Sequence, residues 1–523
     1  MNPGKTIARA TAIILSLSLL SRLFGVGREM AIAYAFGATG KTDAFLVSFI
    51  IPNLFYSVVG TALGTVIVPV FSEYAAGSRR EEAWRVSSMV LNVSLVFSAF
   101  MALLGAAGAP LLSHLLGGGF SGDTLQLTTR LTALIMPAIV FMTAAGVFSG
   151  VLNANNVFGP PAAGPVMMNL MMIFGALIGG KFLGIYGLTA GAVAGAAVFS
   201  LVQLPALRYL GFKYCLRFEI GHPEVRRVFA LALPVILASG IGQIYMMIDY
   251  RLASGLAEGS IAALNYANKL MNLPQGLLVT AVVTAMYPTL SRLIAEAKGP
   301  EMAATLRRGM KFILLLGIPG AVGMIVLRES IVALIFERGA FDARATAMTA
   351  NALLFFAVGL AGMCLNLPLT RGFFAMQDTK TPLLISAVTI GVKLFFSLVL
   401  VRLLQHAGLA LATSLTVLVN MFILSFLLQR RLPGLFERSF FIFSGGVVLA
   451  SAVMGLAVSA ADGFLAARFA GGGLFLTIRV GVDIVVGTVV FVGTGLALRL
   501  DELWHLLQLA YGFIQRRVRV SAS

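Results

Sequence analysis

Four basic residues lie within apolar stretches that are long enough to cross a membrane: Arg22, Arg28, Lys269 and Lys393. A cation in hydrocarbon is unfavourable by at least about 3 kcal/mol, so such residues normally face the interior of a helix bundle or a water-filled cavity. Guanidinium and ammonium groups also bind phosphate through charge-assisted hydrogen bonds. The pattern therefore predicts a cargo that carries negative charge.

The position of each cation leaves different alternatives open. Arg28 is followed by Glu29, so a local ion pair near the outer end of the first helix is one alternative. Lys269 can extend its flexible stem toward the outer surface of the membrane. Arg22 is about ten residues from either end of its apolar stretch, where such snorkelling is hardest. We therefore expect Arg22 to be the foremost anion ligand of the four.

Two glycines, Gly25 and Gly27, separate the arginines of the first helix. Glycine weakens a helix, so a bend that redirects the two guanidinium groups is one interpretation. Close packing against another helix through small residues is the other. The sequence leaves both open.

The elements that position these residues are predicted to be membrane-spanning helices. The chain has 59% hydrophobic and 11% charged residues and a mean hydropathy of +0.95 over 523 residues, which is typical of a polytopic membrane protein. A spanning helix needs about 20 apolar residues. Fourteen stretches of this kind begin near Ile7, Asp43, Val86, Leu131, Pro161, Ile185, Val228, Ile261, Lys311, Thr346, Pro382, Gly408, Phe440 and Ile478.

The distribution of charge predicts an orientation. If the N-terminus is cytoplasmic, well over half of the 38 Lys and Arg residues fall in cytoplasmic loops and tails, as the positive-inside rule requires. An even number of helices then places the C-terminus, with Arg516, Arg517 and Arg519, on the same side. This arrangement explains the net charge of +17, so the charge gives no support for a nucleic-acid partner. Basic loops of this kind attract anionic membrane lipids.

An internal repeat organises the chain. Asn53 and Pro69 recur at one common offset as Asn272 and Pro288, and later matches, such as Gly187 with Gly408, keep nearly the same offset. The repeat predicts two six-helix lobes, residues 1–222 and 223–432, followed by two extra helices and a basic cytoplasmic tail in residues 433–523. Parallel repeats of this kind are related by an axis along the membrane normal, and such transporters alternate access to a site between the repeats.

Acidic residues are scarce in the apolar stretches. Asp249 is predicted to be an ion or proton site, with Lys393 as a candidate partner. Asp43, after a glycine-rich turn, is predicted to cap the second helix. There is no Walker A sequence, no metal-ligand spacing and no nucleophile elbow, so we do not expect an enzyme.

Two sequence runs resemble a known family. SRLFGVGREMAIAYAFGATGKTDAFLVSFIIPNLF, residues 21–55, and ALNYANKLMNLPQGLL, residues 263–278, are similar to signatures of the MurJ (MviN) lipid II flippases. The resemblance implies the fold of the multidrug/oligosaccharidyl-lipid/polysaccharide (MOP) exporters. It also implies outward movement of undecaprenyl-pyrophosphate-linked peptidoglycan precursor, with the pyrophosphate in a cationic cavity and the lipid tail in a groove beside helices 13 and 14.

The resemblance also implies substrate-binding residues. Arg22, Arg28 and Asp43 match charges that look important in the family, and Lys269 stands where many members have arginine. Glu29, Asn53 and Tyr56 complete the predicted substrate-binding set. Tyr56 is a departure, because it replaces a cavity arginine and donates a hydrogen bond without a charge. This departure leaves open a different glycan on the polyprenyl pyrophosphate.

A second departure concerns ion coupling. Some members of the family have what looks like a sodium site, and Asp249 and Thr413 match two of its positions. Lys393 and Ser397 occupy the other two, and a lysine there would repel sodium. We infer from the sequence that the ammonium of Lys393 replaces the bound cation by pairing with Asp249.

The sequence thus predicts an all-α lipid II flippase of the bacterial inner membrane, with no cofactor, driven by a sodium gradient or the membrane potential. Its predicted partners are lipid II and membrane lipids. A flippase for another polyprenyl-pyrophosphate glycan is the first alternative. A non-transporting scaffold that recruits cell-wall synthesis proteins is the second.

Overall fold

A computed structural model describes residues 3–76, 79–219, 221–468, 472–504, 506 and 508, without the side chains of residues 3–15, 75, 76, 237, 238, 241, 277 and 278. The basic C-terminal tail lies outside the described residues. Within them, every regular element is helical. The helices of the first half are α1 (Pro3–Phe36), α2 (Gly40–Phe55), α3 (Thr61–Ala76), α4 (Arg80–Ala107), α5 (Ala109–Gly117), α6 (Gly122–Ile135), α7 (Ala138–Ala154), α8 (Gly159–Phe174), α9 (Gly180–Leu183), α10 (Ile185–Leu201) and α11 (Leu204–Tyr209).

The helices of the second half are α12 (Pro223–Ala253), α13 (Ser260–Pro274), α14 (Thr280–Ala295), α15 (Gly299–Val326), α16 (Arg328–Phe336), α17 (Ala343–Val358), α18 (Leu360–Ala375), α19 (Lys380–Arg431), α20 (Arg438–Arg468) and α21 (Gly473–Ala497). Three short π-helical segments, at Tyr56–Gly60, Gly175–Gly179 and Gln275–Val279, join α2 to α3, α8 to α9 and α13 to α14.

The chain is a multi-pass membrane protein. In the described residues, 8 helices are long and apolar enough to cross a membrane, or up to 10 if each of two bent pairs is one span. The bent pairs are α6 with α7, at 42°, and α17 with α18, at 45°. All the predicted helix starts fall on helices, and α19 contains two of them on either side of a turn at Gln405. The total of fourteen spans stays a prediction.

The two copies of the sequence repeat have matching helices. The helices α4 and α15 are each 28 residues long and begin at positions that the repeat relates, and α5 and α16, each 9 residues long, keep the same offset. The π segments at Tyr56–Gly60 and Gln275–Val279 also correspond under this offset. The structure therefore repeats where the sequence repeats, down to local irregularities of the backbone.

The described residues form two compact units, which do not coincide with the predicted lobes. The first contains residues up to Ala262 together with Arg338–Ala345, and the second contains the remainder. Helix α12, predicted to open the second lobe, belongs to the first unit, because it packs on α3. Arg227 on α12 also donates to both carboxylate oxygens of Glu73 on α3, at 2.7 and 2.9 Å. The boundary predicted from the repeat lies after residue 222, whereas the first packed unit continues to Ala262.

Helices α3 and α7 approach closely in the first unit. A Cβ atom on Gly146 of α7 would lie 2.3 Å from the carbonyl oxygen of Gly60, and one on Gly64 would lie 2.9 Å from the carbonyl oxygen of Gly146. Only glycine permits such backbone contact, which is how membrane helices pack without a hydrophobic driving force. Because Gly60 ends the first π segment, this contact holds that segment against α7.

The last two helices pack on the second unit. Helix α20 packs on α21 and on α15, through a cluster that includes Leu315, Phe443 and Val447. Lys311 of α15 pairs with Glu502, which follows α21, at 2.8 Å, and its ammonium lies 5.0 Å from the ring centroid of Phe443. These helices therefore pack within the second unit.

Candidate functional site

A polar seam joins α1 to α8 in the first unit. Arg28 pairs with the carboxylate of Glu29 and donates from Nη1 to Oδ1 of Asn169 at 3.1 Å. The Nδ2 of Asn169 donates in turn to the carbonyl oxygen of Ser21 at 3.2 Å. The Glu29 side chain is 2% exposed and that of Arg28 is 16% exposed. The local ion pair proposed as an alternative for Arg28 is thus present, and α8 fixes its direction.

The glycines between the two arginines lie against α8. Helix α1 continues through Gly25 and Gly27, and Cβ atoms there would lie 3.8 Å from side-chain atoms of Asn169 and Ile173. Both positions therefore face α8. A Cβ atom at either position would be in ordinary van der Waals contact, so packing against α8 does not require glycine there.

Arg22 differs from Arg28 in its surroundings. Its side chain is exposed, and among the described residues it forms no ion pair or side-chain hydrogen bond. A guanidinium group offers five donors in a planar fork that matches phosphate oxygens. Arg22 is therefore available to an external anion, whereas Arg28 already has a carboxylate and an amide oxygen as partners.

Asp43 holds the beginning of α13. Its Oδ2 accepts from the backbone N–H of Gly259 and its Oδ1 from that of Ala262, both at 2.7 Å. A carboxylate at this position satisfies amides that have no partner within the helix and interacts favourably with the helix dipole. The expectation that Asp43 caps the second helix is wrong, because the N-cap residue of α2 is Thr39.

A buried tyrosine lies near several charged residues of the first unit. Tyr250 of α12 is 7% exposed and lies within the electrostatic influence of Glu29, Asp249, Asp43 and Arg28. The sequence analysis missed both Tyr250 and Asn169. Each could have been singled out as a polar side chain inside an apolar run, since such residues usually bind another helix.

The first π segment carries the residue that departs from the family pattern. Tyr56 opens this segment, three residues after Asn53, and its ring meets Phe199 edge-on with centroids 5.6 Å apart. A Cβ atom on Gly60 would lie 2.7 Å from the tyrosine ring. The ring is therefore held by neighbouring helices at a half-buried position, next to a backbone irregularity of a kind often found at functional sites.

The second unit contains a fully buried lysine. Lys393 is 0% exposed and donates to the hydroxyl of Thr413 at 2.5 Å and to the carbonyl oxygen of Leu409 at 3.3 Å. These partners lie beyond the turn at Gln405, so the ammonium links the two parts of α19. Ser397, one turn further along α19 from Lys393, is also 0% exposed.

The remaining predicted residues fall in different units. Asp249 lies on α12 in the first unit, so its pairing with Lys393 stays a prediction. Lys269 has an exposed side chain on α13, in the second unit. Across the described ranges, there is no group of three or more His, Cys, Asp or Glu residues that could hold a metal ion.

The fold is shared with solved structures. It is similar to the solved structure of a lipid II flippase MurJ in an inward closed conformation, with a TM-score of 0.80 at 24% identity, over 94% of this chain and 99% of that one. It is also similar to an inward-facing multidrug resistance MATE family transporter of the MOP superfamily, with a TM-score of 0.65 at 14% identity, over 81% and 98% of the two chains. The architecture is therefore that of the MOP transporters.

Sequence relatives narrow this class to one family. The profile of the family "Lipid II flippase MurJ" matches residues 32–479. The chain is 32% identical over 440 residues to the lipid II flippase MurJ of Burkholderia cenocepacia, covering 82% of this chain and 85% of that protein. It is 32% identical over 449 residues to a probable lipid II flippase MurJ of Rhizobium tropici, covering 84% of each chain. The chain belongs to the lipid II flippase MurJ family, whose members are transporters and not enzymes.

Proposed function

We propose that this protein moves lipid II, the undecaprenyl-pyrophosphate-linked peptidoglycan precursor, from the inner to the outer leaflet of the bacterial cytoplasmic membrane by alternating access. The observation that carries the proposal is Arg22, an exposed arginine within the apolar stretch of α1 that forms no ion pair in the described part of the chain. Such a residue is retained for function, because it is costly in a membrane.

The pyrophosphate is the part of lipid II that these cations recognise. A guanidinium binds phosphate through two parallel charge-assisted hydrogen bonds, which strengthen when water is excluded. Arg22 supplies this fork directly. Arg28 is oriented by Glu29 and Asn169 and adds a second guanidinium on the same helix, with its charge balanced by Glu29.

The two equivalent π segments favour helices that bend during transport. Each interrupts the regular hydrogen bonding of a long helix at the same place in its repeat. Pro52 lies one turn before the first segment, and Pro274 directly precedes the second. Proline removes a backbone donor and promotes a kink. The repeated position of the irregularity supports a hinge that each unit uses in the same way.

Ion coupling is proposed to run through Lys393. Hydroxyl and carbonyl oxygens are the ligands that a hard cation such as sodium prefers, and here they accept from the ammonium instead. A tethered cation of this kind makes bound sodium unnecessary, which favours coupling to the membrane potential. The positive-inside distribution of Lys and Arg supports cytoplasmic N- and C-termini.

The test is complementation in bacteria depleted of their own lipid II flippase, together with a flipping assay on purified protein in vesicles. We expect wild-type protein to restore growth and to move lipid II, and Arg22→Ala to insert normally but lose transport. Lys181→Ala, which removes an exposed cation from α9, is the matched control and should retain activity. Growth restored without lipid II movement, and unaffected by Arg22→Ala, would instead support a scaffold for cell-wall synthesis proteins. If the protein moves a different polyprenyl-pyrophosphate glycan in preference to lipid II, that glycan is its cargo.

A further inference from the structure

A loop of the second repeat is packed in the first unit. Arg338–Ala345 lies at the junction of α16 and α17, yet it belongs to the same unit as the chain up to Ala262. The residues on either side of it, Glu337 and Thr346, belong to the second unit. We call Arg338–Ala345 the strap loop, because it takes the chain out of the second unit and back again.

The strap loop has a shape of its own. The hydroxyl of Thr346 donates to Oε2 of Glu337 at 2.7 Å, so the residues at its two ends are bonded to each other. Inside the loop, the backbone N–H of Ala345 donates to Oδ1 of Asp342 at 2.8 Å, which satisfies one of the free amides at the start of α17. The loop therefore keeps its form through its own hydrogen bonds and is carried by α16 and α17.

The seat of the strap loop is the end of α1 and the turn that follows it. The backbone N–H of Ala340 donates to the carbonyl oxygen of Tyr34 at 2.9 Å. A Cβ atom on Gly339 would lie 2.4 Å from this oxygen, and one on Gly37 would lie 2.3 Å from the carbonyl oxygen of Ala340. Both glycines have a φ of 64°, where a side chain is strained. The seated loop therefore requires glycine on both sides of the contact.

The equivalent loop of the first repeat, between α5 and α6, makes an equivalent contact. The backbone N–H of Gly119 donates to the hydroxyl of Ser254, directly after α12, at 3.1 Å. A Cβ atom on Gly119 would lie 2.4 Å from the backbone nitrogen of Gly255. Each repeat thus seats its loop on the turn after the first helix of the other repeat. Here, however, both partners lie in the continuous range up to Ala262, so the contact is internal to that range.

Transport places different demands on the two loops. Helices α5, α6 and α12 share one unit and can move together, whereas the strap loop is bonded at its ends to residues of the second unit. Alternating access requires one repeat to move against the other, so the contact between Ala340 and Tyr34 must break. Most of the loop is exposed, and Arg344 adds a hydrogen bond from Nη2 to the carbonyl oxygen of Glu258 at 3.2 Å. Exposed polar contacts of this kind exchange with water at little net cost.

We propose that the strap loop is a releasable latch, which is seated on the end of α1 in the conformation described here and leaves this seat when the transporter opens at that end of α1. The inference rests on the proposed alternating access. Gly37 and Gly339 set the seated population, because a side chain on either one keeps the two backbones apart. The equivalent loop at Gly119 stays seated throughout the cycle.

Spin labels can report whether the strap loop is seated. Lys41→Cys and Ala343→Cys place them at two exposed positions, one on each side of the contact, after Cys215 and Cys364 are replaced by serine. Pulsed electron paramagnetic resonance of the full chain in nanodiscs measures the distance between the labels. We expect a short seated distance to predominate in this parent protein. Gly339→Ala should lower the ratio of seated to released protein at least about fivefold, which is the lower end of the effect of overpacking.

Two further variants show whether the contact itself is the cause. Gly37→Ala acts from the other side of the contact and should have a similar effect, and its combination with Gly339→Ala should add little, because the contact is already lost. Gly122→Ala, in the equivalent loop, is the matched control. A Cβ atom there meets nothing within 4 Å, so the distances should not change. Thermal unfolding establishes that each variant is folded.

A disulfide tests whether the strap loop must leave its seat. Tyr34→Cys with Ala340→Cys places two thiols on residues whose backbones are hydrogen-bonded to each other, which is within the span of a disulfide. Oxidation should abolish lipid II movement, and reduction should restore it. Either cysteine alone should make the protein no more sensitive to oxidation than the cysteine-free parent.

Three results would overturn the proposal. They are distances that Gly339→Ala leaves unchanged, an equal shift in Gly122→Ala, and undiminished lipid II movement by the disulfide-linked protein. The distance measurements contain no lipid II, so they test the strap loop independently of the cargo. Absence of lipid II movement by the unlinked parent protein, with the expected shift in Gly339→Ala, would contradict the proposed function and not the latch.

Discussion

Gln405 adopts nearly the same backbone conformation as Gly184, which holds the corresponding position in the first repeat. The angles are φ 53° and ψ −131° at Gln405, and φ 57° and ψ −139° at Gly184. Each residue forms the tight turn between the last two helices of its repeat. A Cβ atom is strained in this region of backbone space, and glycine is the residue that normally occupies it. The first repeat has the residue that the turn requires, and the second retains the turn with a strained glutamine.

The first prediction concerns this strain. Gln405→Gly should raise the free energy of unfolding by about 1 kcal/mol, because relief of about 1–3 kcal/mol of strain exceeds the entropy that glycine adds to the unfolded chain. The reciprocal Gly184→Gln should destabilise the protein by a similar amount, since a Cβ atom there meets nothing within 4 Å and the cost lies in the backbone alone. Thermal unfolding in detergent measures both. A control, Leu404→Gly, should lower stability by about 1 kcal/mol; equal losses from Leu404→Gly and Gln405→Gly would contradict the argument.

The second prediction separates the two arginines of α1. Arg28→Ala should lower the free energy of unfolding by about 3 kcal/mol, because it removes the guanidinium from a buried ion pair with Glu29. Arg22→Ala should leave stability unchanged, since its side chain is exposed and has no ion pair among the described residues. Both variants should lose lipid II transport. Unfolding measurements beside the flipping assay check this difference.

A companion double variant identifies why Arg28→Ala loses transport. Replacing the pair by apolar residues of similar size, Arg28→Met with Glu29→Leu, should recover much of the stability but none of the transport. Recovery of transport in this double variant would show that Arg28 has only a structural role. Asn169→Leu should change transport less than Arg28→Ala, because it alters the direction of the guanidinium and not its charge.

The third prediction concerns Asp43. Its two oxygens accept backbone hydrogen bonds at the start of α13, so Asp43→Ala should cost about 2 kcal/mol and Asp43→Asn, which keeps one acceptor, about 1 kcal/mol. Amide hydrogen exchange at Gly259 and Ala262 should accelerate in the same order. If transport is lost in Asp43→Asn while stability and exchange are unchanged, Asp43 is a substrate ligand and not a cap.

Much of the fold follows from the sequence, because the apolar stretches and the internal repeat are both strong signals. Apolar stretches near the length of a bilayer predict helices, and a repeat with a nearly constant offset predicts two copies of one unit. Packing between helices is harder to predict, since in a membrane it depends on small residues and single polar contacts instead of an apolar face. For this reason the sequence did not show that α12 belongs to the first unit.

The site, like the fold, could be predicted from the sequence only in part. Arg22 could be singled out because its charge is far from either end of an apolar stretch, and Arg28 with Glu29 because the two are adjacent. Asn169 and Tyr250 stand out only as polar side chains in apolar runs, because the residues that lie near them on other helices are distant in the sequence. The π segments were also missed, since prolines occur near both but at positions that do not correspond in the two repeats.

The last prediction returns to the buried lysine of the second unit. Lys393 places its ammonium against the hydroxyl of Thr413 and the carbonyl of Leu409, two oxygens that would suit sodium. Lys393→Asn with Ser397→Asp removes the tethered cation and adds oxygen ligands one turn apart on α19. Transport should then require sodium, whereas wild-type transport should not.

The control for this reconstruction is Lys393→Met, which fills the same space without charge or oxygen ligands. It should lower transport without creating sodium dependence, because the oxygens of Thr413 and Leu409 lose their ammonium donor and no ligand replaces it. Flipping would be measured in sodium and in choline media at the same membrane potential. If Lys393→Asn with Ser397→Asp responds to sodium no more than Lys393→Met does, the ammonium does not stand in place of a cation, and its role is to hold the two parts of α19 together across the turn at Gln405.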